Sequence, residues 1–222
     1  MAKKSDMRKA LVAVVLCGTL MWMACSTAWV GEAEQIVEVL IPATANIVTL
    51  VATLEGKNVS ASDLQTIQNA GSQAGADLQL MQSLITAYQK ADASAQPGLL
   101  SQIQAALSAV QLTLNGLLPA LQIKDTATQA KLTAVIAIVL SEVQSMAAIV
   151  PLVNSSASPA MMTMAARQAQ KQPTLTASQF VSSYNATMTA KTGNVDLDHA
   201  ASGLRIHAHG KFDRWASAGL LK

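Results

Sequence analysis

The sequence predicts an all-α fold, an antiparallel four-helix bundle followed by short C-terminal helices and a flexible tail. Three observations predict it. Apolar residues recur at alternating steps of three and four in four separate stretches, helix-start and helix-stop residues stand between those stretches, and no stretch shows the strict apolar–polar alternation of a strand. A stripe of that period covers one face of a helix. Stripes sustained over many turns with short connections suit antiparallel neighbours crossing at shallow angles.

The first stripe is Ile36, Leu40, Ala43, Ile47, Leu50 and Leu54, ending at the turn Glu55-Gly56-Lys57-Asn58. The second is Leu64, Ile67, Gly71, Ala74, Leu78, Met81, Ile85 and Tyr88, with Ser62 and Gln65 spaced as a capping box at its start. The third, Leu100, Ile103, Leu107, Val110, Leu114, Leu117 and Leu121, follows Pro97, which suits a first helical turn because the missing N–H is needed there by no carbonyl. Lys124-Asp125-Thr126 separates it from the fourth stripe, Leu132, Ile136, Val139, Val143, Met146, Val150 and Val153, which the Asn154–Ser158 run and Pro159 close. The bundle is thus expected over residues 26–155.

Three prolines lie within these stretches, and each removes a backbone donor and crowds the carbonyl four residues earlier. Pro42 would kink or delay the first helix, Pro119 would end the third early and leave residues 117–123 as a separate turn, and Pro151 would bend the end of the fourth. Such kinks are one route to a ligand cavity. The first and fourth helices are apolar enough to be read as membrane spans. Glu38, Pro42 and Asn46 in the one and Glu142 and Gln144 in the other favour core helices of a water-soluble bundle, since a charge at bilayer depth costs about 3 kcal/mol or more. Gly71, Ala74 and Gly75 make a small-residue patch suited to close helix approach, within the bundle or against a partner.

Residues 156–191 read as a short helical extension. Met161, Met162 and Met164 lead into Arg167–Lys171, and Thr176 with Gln179 forms a capping box ahead of Phe180, Tyr184 and Met188. Residues 192–222 read as a basic, flexible tail. It holds all three histidines, His199, His207 and His209, which with Asp196 and Asp198 are the weak candidates for a metal site, the expectation being that no metal is bound. Arg205, Lys211, Phe212, Arg214 and Trp215 offer a basic-aromatic surface.

Charged residues make up 13% of the chain and hydrophobic ones 51%, so the deficit of charge is the departure from an average near 25%. The net charge of +2 is segregated: residues 1–25 carry four bases and one acid, 26–166 four bases and nine acids, and 167–222 seven bases and three acids. A mildly acidic body lacks the dense basic stripe that phosphate binding needs, so no nucleic-acid partner is expected.

Lys3, Lys4, Arg8 and Lys9 precede an uncharged run from Ala10 to Val30, whose most apolar part is Leu11–Leu16. A basic start followed by an apolar run is the pattern of an export signal, and Met7-Arg8-Lys9 offers an alternative start to it. Both cysteines, Cys17 and Cys25, lie inside this segment, so neither a disulfide nor a cysteine metal cluster is expected in the body. Residues 1–25, ending in Met23-Ala24-Cys25 with Leu20 upstream, resemble the leader of a bacterial lipoprotein. The resemblance covers the leader alone, and Trp22 and Met23 stand where that motif has Leu and a small residue. It implies lipidation of Cys25 and a membrane-anchored protein facing the periplasm, with Ser26 pointing to the outer membrane. Two alternatives stay open: the uncharged run is long enough to span a bilayer uncleaved, and Ser26-Thr27-Ala28 suits ordinary signal cleavage with release into the periplasm.

Enzyme chemistry finds little footing. Residues 26–198 contain neither His nor Cys, and no phosphate loop, HExxH or serine elbow occurs. The expectation is a non-enzymatic, cofactor-free envelope module that binds other envelope proteins. The alternatives are a periplasmic carrier of an apolar small molecule and a membrane-inserted helical bundle.

Overall fold

The computed structural model describes residues 28–56, 59–120, 123–151 and 174–206. They form six helices: α1 (Ala28–Thr53), α2 (Ala61–Lys90), α3 (Gln96–Ala120), α4 (Thr126–Ile149), α5 (Ala177–Thr189) and α6 (Val195–Ser202). Among the described residues there is no strand, only an isolated bridge between Glu55 and Val59 in the first turn. Gly56 takes a positive φ of 75° there, a conformation that costs a glycine nothing.

The helix ends follow local chemistry. Ser60, rather than Ser62, starts α2: its hydroxyl accepts the Asp63 N–H and donates to the Asp63 carboxylate at 2.6 Å. This departs from the expected Ser62–Gln65 box. An acid at that position completes the cap and also meets the positive end of the helix dipole, whereas Ser62 is already helical. Buried Val59 and Leu64 flank the cap at the positions of a hydrophobic staple. Asp125 caps α4 by accepting the Thr128 N–H, Asn194 caps α6 by accepting that of Leu197, and Thr176 with Gln179 makes the expected capping box on α5.

The prolines depart from expectation in particular ways. α1 continues through Pro42 rather than being delayed by it, with the Thr44 hydroxyl bonded to the nearby Leu40 carbonyl at 3.0 Å. Pro119 sits in the last turn of α3, so no separate turn forms at residues 117–120. α4 stops before Pro151 instead of bending at it, because the residue preceding a proline is driven out of the helical region: Val150 has φ −68° and ψ 122°.

The four long helices contact one another in a closed circuit, α1 with α2, α2 with α3, α3 with α4 and α4 with α1. Their facing stripes form one core, with Ile36, Leu40, Ile67, Leu78, Ile103 and Val139 all fully buried. Each such side chain contributes about 1.5–3 kcal/mol relative to exposure. Near the start of α1, Trp29 packs edge-on against Tyr88 near the end of α2, ring centroids 5.2 Å apart. Gly71 lies so close to α1 that a Cβ there would collide with the Val48 side chain, which places this member of the small-residue patch inside the bundle.

The largest difference from expectation lies at the C-terminal side. Residues 192–206, expected to open a flexible tail, fold onto the bundle: α6 forms, and Leu197, Ala201, Leu204 and Ile206 are buried. The segment is polar and aperiodic to the eye because it is only two turns long, too short for a stripe to declare itself. The leader with Cys17 and Cys25, the methionines at 161, 162 and 164, and residues 207–222 with His207 and His209 lie outside the described residues.

Candidate functional site

Most of the buried polar groups among the described residues gather where α5 and α6 cover α1 and α4. Lys131 of α4 is 5% exposed. Its ammonium donates to the Ala190 carbonyl just beyond α5 at 2.6 Å and stands 3.9 Å from the Asp198 carboxylate of α6. Burial lowers the Lys131 pKa, Asp198 opposes that, and Lys191 adds to it. Burial raises Asp198 in turn, but the Thr192 N–H and hydroxyl, Lys131 and the Gly193 N–H together hold its carboxyl below the usual value.

Further along α4, Ser145 accepts the Leu175 N–H at 2.9 Å, just ahead of α5, and donates to the Ser141 carbonyl. Three amide side chains complete the attachment. Asn46 of α1 donates to the Leu204 carbonyl, Asn194 donates to Asp125, and Asn185 of α5 both donates to the Ile206 carbonyl and accepts the Ile206 N–H, at 2.6 and 2.8 Å. The Asn185 pairing copies one rung of a sheet with a side chain.

Glu142 is the exception in this polar layer. It is fully buried, and neither carboxyl oxygen has a hydrogen-bond partner. Burial, reinforced by the negative charge of Glu32 on α1, pushes its pKa up to about 8, so the side chain is predominantly protonated at neutral pH. Tyr184 of α5 is also enclosed. Burial raises its phenol, and Asn46 opposes this.

A second feature is a shallow groove of about 250 Å³ between α3 and the end of α4, lined by Gln104, Leu107, Ser108, Gln111, Ala147 and Val150. The Gln104 amide crosses one end to reach the Pro151 carbonyl at 2.7 Å. The volume falls below the roughly 300–1,000 Å³ of small-molecule pockets.

Of the metal candidates, His199, Asp196 and Asp198 are among the described residues, and His207 and His209 are not. The three lie on α6, and no group of three metal-ligating side chains that could hold an ion forms among the described residues. Arg205 stands just outside the buried pair Leu204 and Ile206. No motif singles out Lys131 or Asn185, whose only signal in the sequence is a polar residue interrupting an apolar stripe, while Asn46 enters the sequence reading only against a membrane span and Asp198 only beside the histidines. No family model, curated protein or solved structure matches the chain.

Proposed function

We propose that the protein is a helical structural or protein-interaction module of the bacterial cell envelope, tethered by its N-terminal segment at Cys25 and facing the periplasm, without enzymatic activity. The observation that carries this reading is where the two most apolar helices lie. α1 and α4 are each long and apolar enough to cross a bilayer, yet 61% and 50% of their most apolar windows are buried inside the protein's own core. This burial supports a role for their hydrophobicity in folding, with the N-terminal segment as the proposed membrane attachment.

α1 starts at Ala28, almost directly after Cys25, so an acylated cysteine would hold the bundle close to the bilayer surface. An antiparallel order of the four helices is supported by the pairing of Trp29 with Tyr88 at opposite ends of α1 and α2, and of Gln104 with Pro151 across α3 and α4. Ser26 favours the outer membrane. The groove between α3 and α4 is the feature that would serve the second reading, a carrier of an apolar small molecule, but it is shallow and half-lined with polar side chains.

Intact mass of the mature protein from a bacterial host, wild type beside Cys25→Ser, tests the tether. The expected wild-type chain begins at Cys25 and carries added acyl mass, which the variant lacks. A chain beginning at Trp29 would replace this reading with a soluble periplasmic protein, and an uncleaved leader with a helix-anchored one.

A further inference from the structure

Among the described residues, Glu142 is the only carboxylate with both oxygens buried and unpartnered. Its place on α4 is set by helical phase. Lys131 precedes it by about three turns at nearly the same phase, and Ser145 follows within one turn. Lys131 binds the carbonyl just after α5 and Ser145 receives the N–H just before it, so α5 lies along this face of α4, the face on which helical phase also places Glu142.

Among the described residues, nothing that faces Glu142 can neutralise it. From α1 the charge that reaches it is Glu32, and the other ionisable groups of that helix, Glu34 and Glu38, are also acids. α3 has no ionisable side chain between residues 96 and 120, and α5 carries only Tyr184. On α4 itself the one cation, Lys131, is about 16 Å away along the axis and already engaged with Ala190 and Asp198. An ionised Glu142 therefore needs water, and water reaches it most cheaply by displacing the element that covers it. α5 and α6 are the short helices of the fold, held to α1 and α4 by a few polar latches and by the buried side chains of Phe180, Met188, Leu197 and Ala201, whereas α1, α2 and α3 share the most extensive interfaces.

We propose that Glu142 makes the C-terminal cover an acid-closed latch: α5 and α6 stay shut while Glu142 keeps its proton, and each opening releases that proton to water. The closed carboxyl holds its proton to a pH of about 8, against an ordinary value of 4.5 once exposed. The sign follows from linkage. Between those two values the open form has lost a proton that the closed form retains, so the opening equilibrium rises about tenfold per pH unit and levels off above about 8. Lys131, whose pKa burial lowers, would contribute a slope of the opposite sign. The inference does not depend on the membrane tether.

Native-state hydrogen exchange of the mature protein, followed by mass spectrometry at several pH values between the two limits and corrected for intrinsic amide rates, tests this. In the wild type, opening at residues 177–202 is expected to rise by about tenfold per pH unit, while α2 and α3 remain better protected at every pH. In Glu142→Gln the slope at residues 177–202 disappears, which also separates Glu142 from Asp196, Asp198 and His199 on α6. Should that variant fail to fold, Glu32→Gln serves. It removes the like charge, and it is expected to reduce the loss of protection near pH 8 without changing it near the lower limit. A wild type with no slope at residues 177–202, a slope that persists in Glu142→Gln, or a cover that opens only together with α2 and α3 overturns the proposal.

Discussion

A polar residue in an apolar helix can be a stabilising latch or a burden, and Lys131 and Glu142 on one helix are one of each. Lys131 has a carbonyl and a carboxylate within reach, so its desolvation is offset by charge-assisted contacts. Glu142 has neither, and leaving a buried polar group unsatisfied costs more than a formed hydrogen bond returns. Replacing Glu142 with Met, of similar length, is therefore expected to stabilise the fold. A carboxyl whose pKa is raised in the folded state opposes folding increasingly as pH climbs from 4.5 to about 8. The gain in Glu142→Met should then be a few kcal/mol at neutral pH and shrink towards acid pH. Urea unfolding of both proteins at several pH values measures it, and a gain that grows in acid would show that the burial of Glu142 is not what limits stability.

At the scale of the element, the α1–α2 interface depends on the absence of a side chain. Gly71 puts bare backbone against Val48, whose β-branched side chain has little rotameric freedom in a helix. Gly71→Ala would gain helix propensity of about 1 kcal/mol on an exposed helix. Here the added methyl collides with Val48, and overpacking of this kind costs about 1–3 kcal/mol. The expected net effect is destabilisation, reversed when Val48→Ala is combined with it. Thermal melts of the two single variants and the double variant give the coupling, and an additive double variant would mean that the helices separate freely at that point.

For the whole molecule, the decisive balance is between apolar helices that enter a membrane and apolar helices that bury one another. Ile36, Leu40, Ile136 and Val139 of α1 and α4 are completely buried inside the shared core, which supports the proposed reading of mutual burial. A chain expressed from Ser26 onward should accordingly be soluble without detergent and stay in the supernatant when centrifuged with lipid vesicles. Co-sedimentation of that leaderless chain would return α1 and α4 to consideration as inserted helices.

The sequence by itself determined the helical class, the number of long helices, the cap at Thr176 and the inward faces, because the 3.6-residue period and capping chemistry are properties of neighbouring residues. Ser60 displaced Ser62 as a cap through a contest the sequence leaves balanced, between two serines two positions apart with an acid after one and a glutamine after the other. Only the tertiary structure decided which interrupting polar residues find partners. Asn46 is satisfied by Leu204 and Asn185 by Ile206, Lys131 by Ala190 and Asp198, and Glu142 by none. It also decided that α6 belongs to the core, since two turns of helix acquire a buried face only when a surface is already there to receive them. Contacts between residues far apart in the chain depend on how faces are brought together, and no local pattern encodes that.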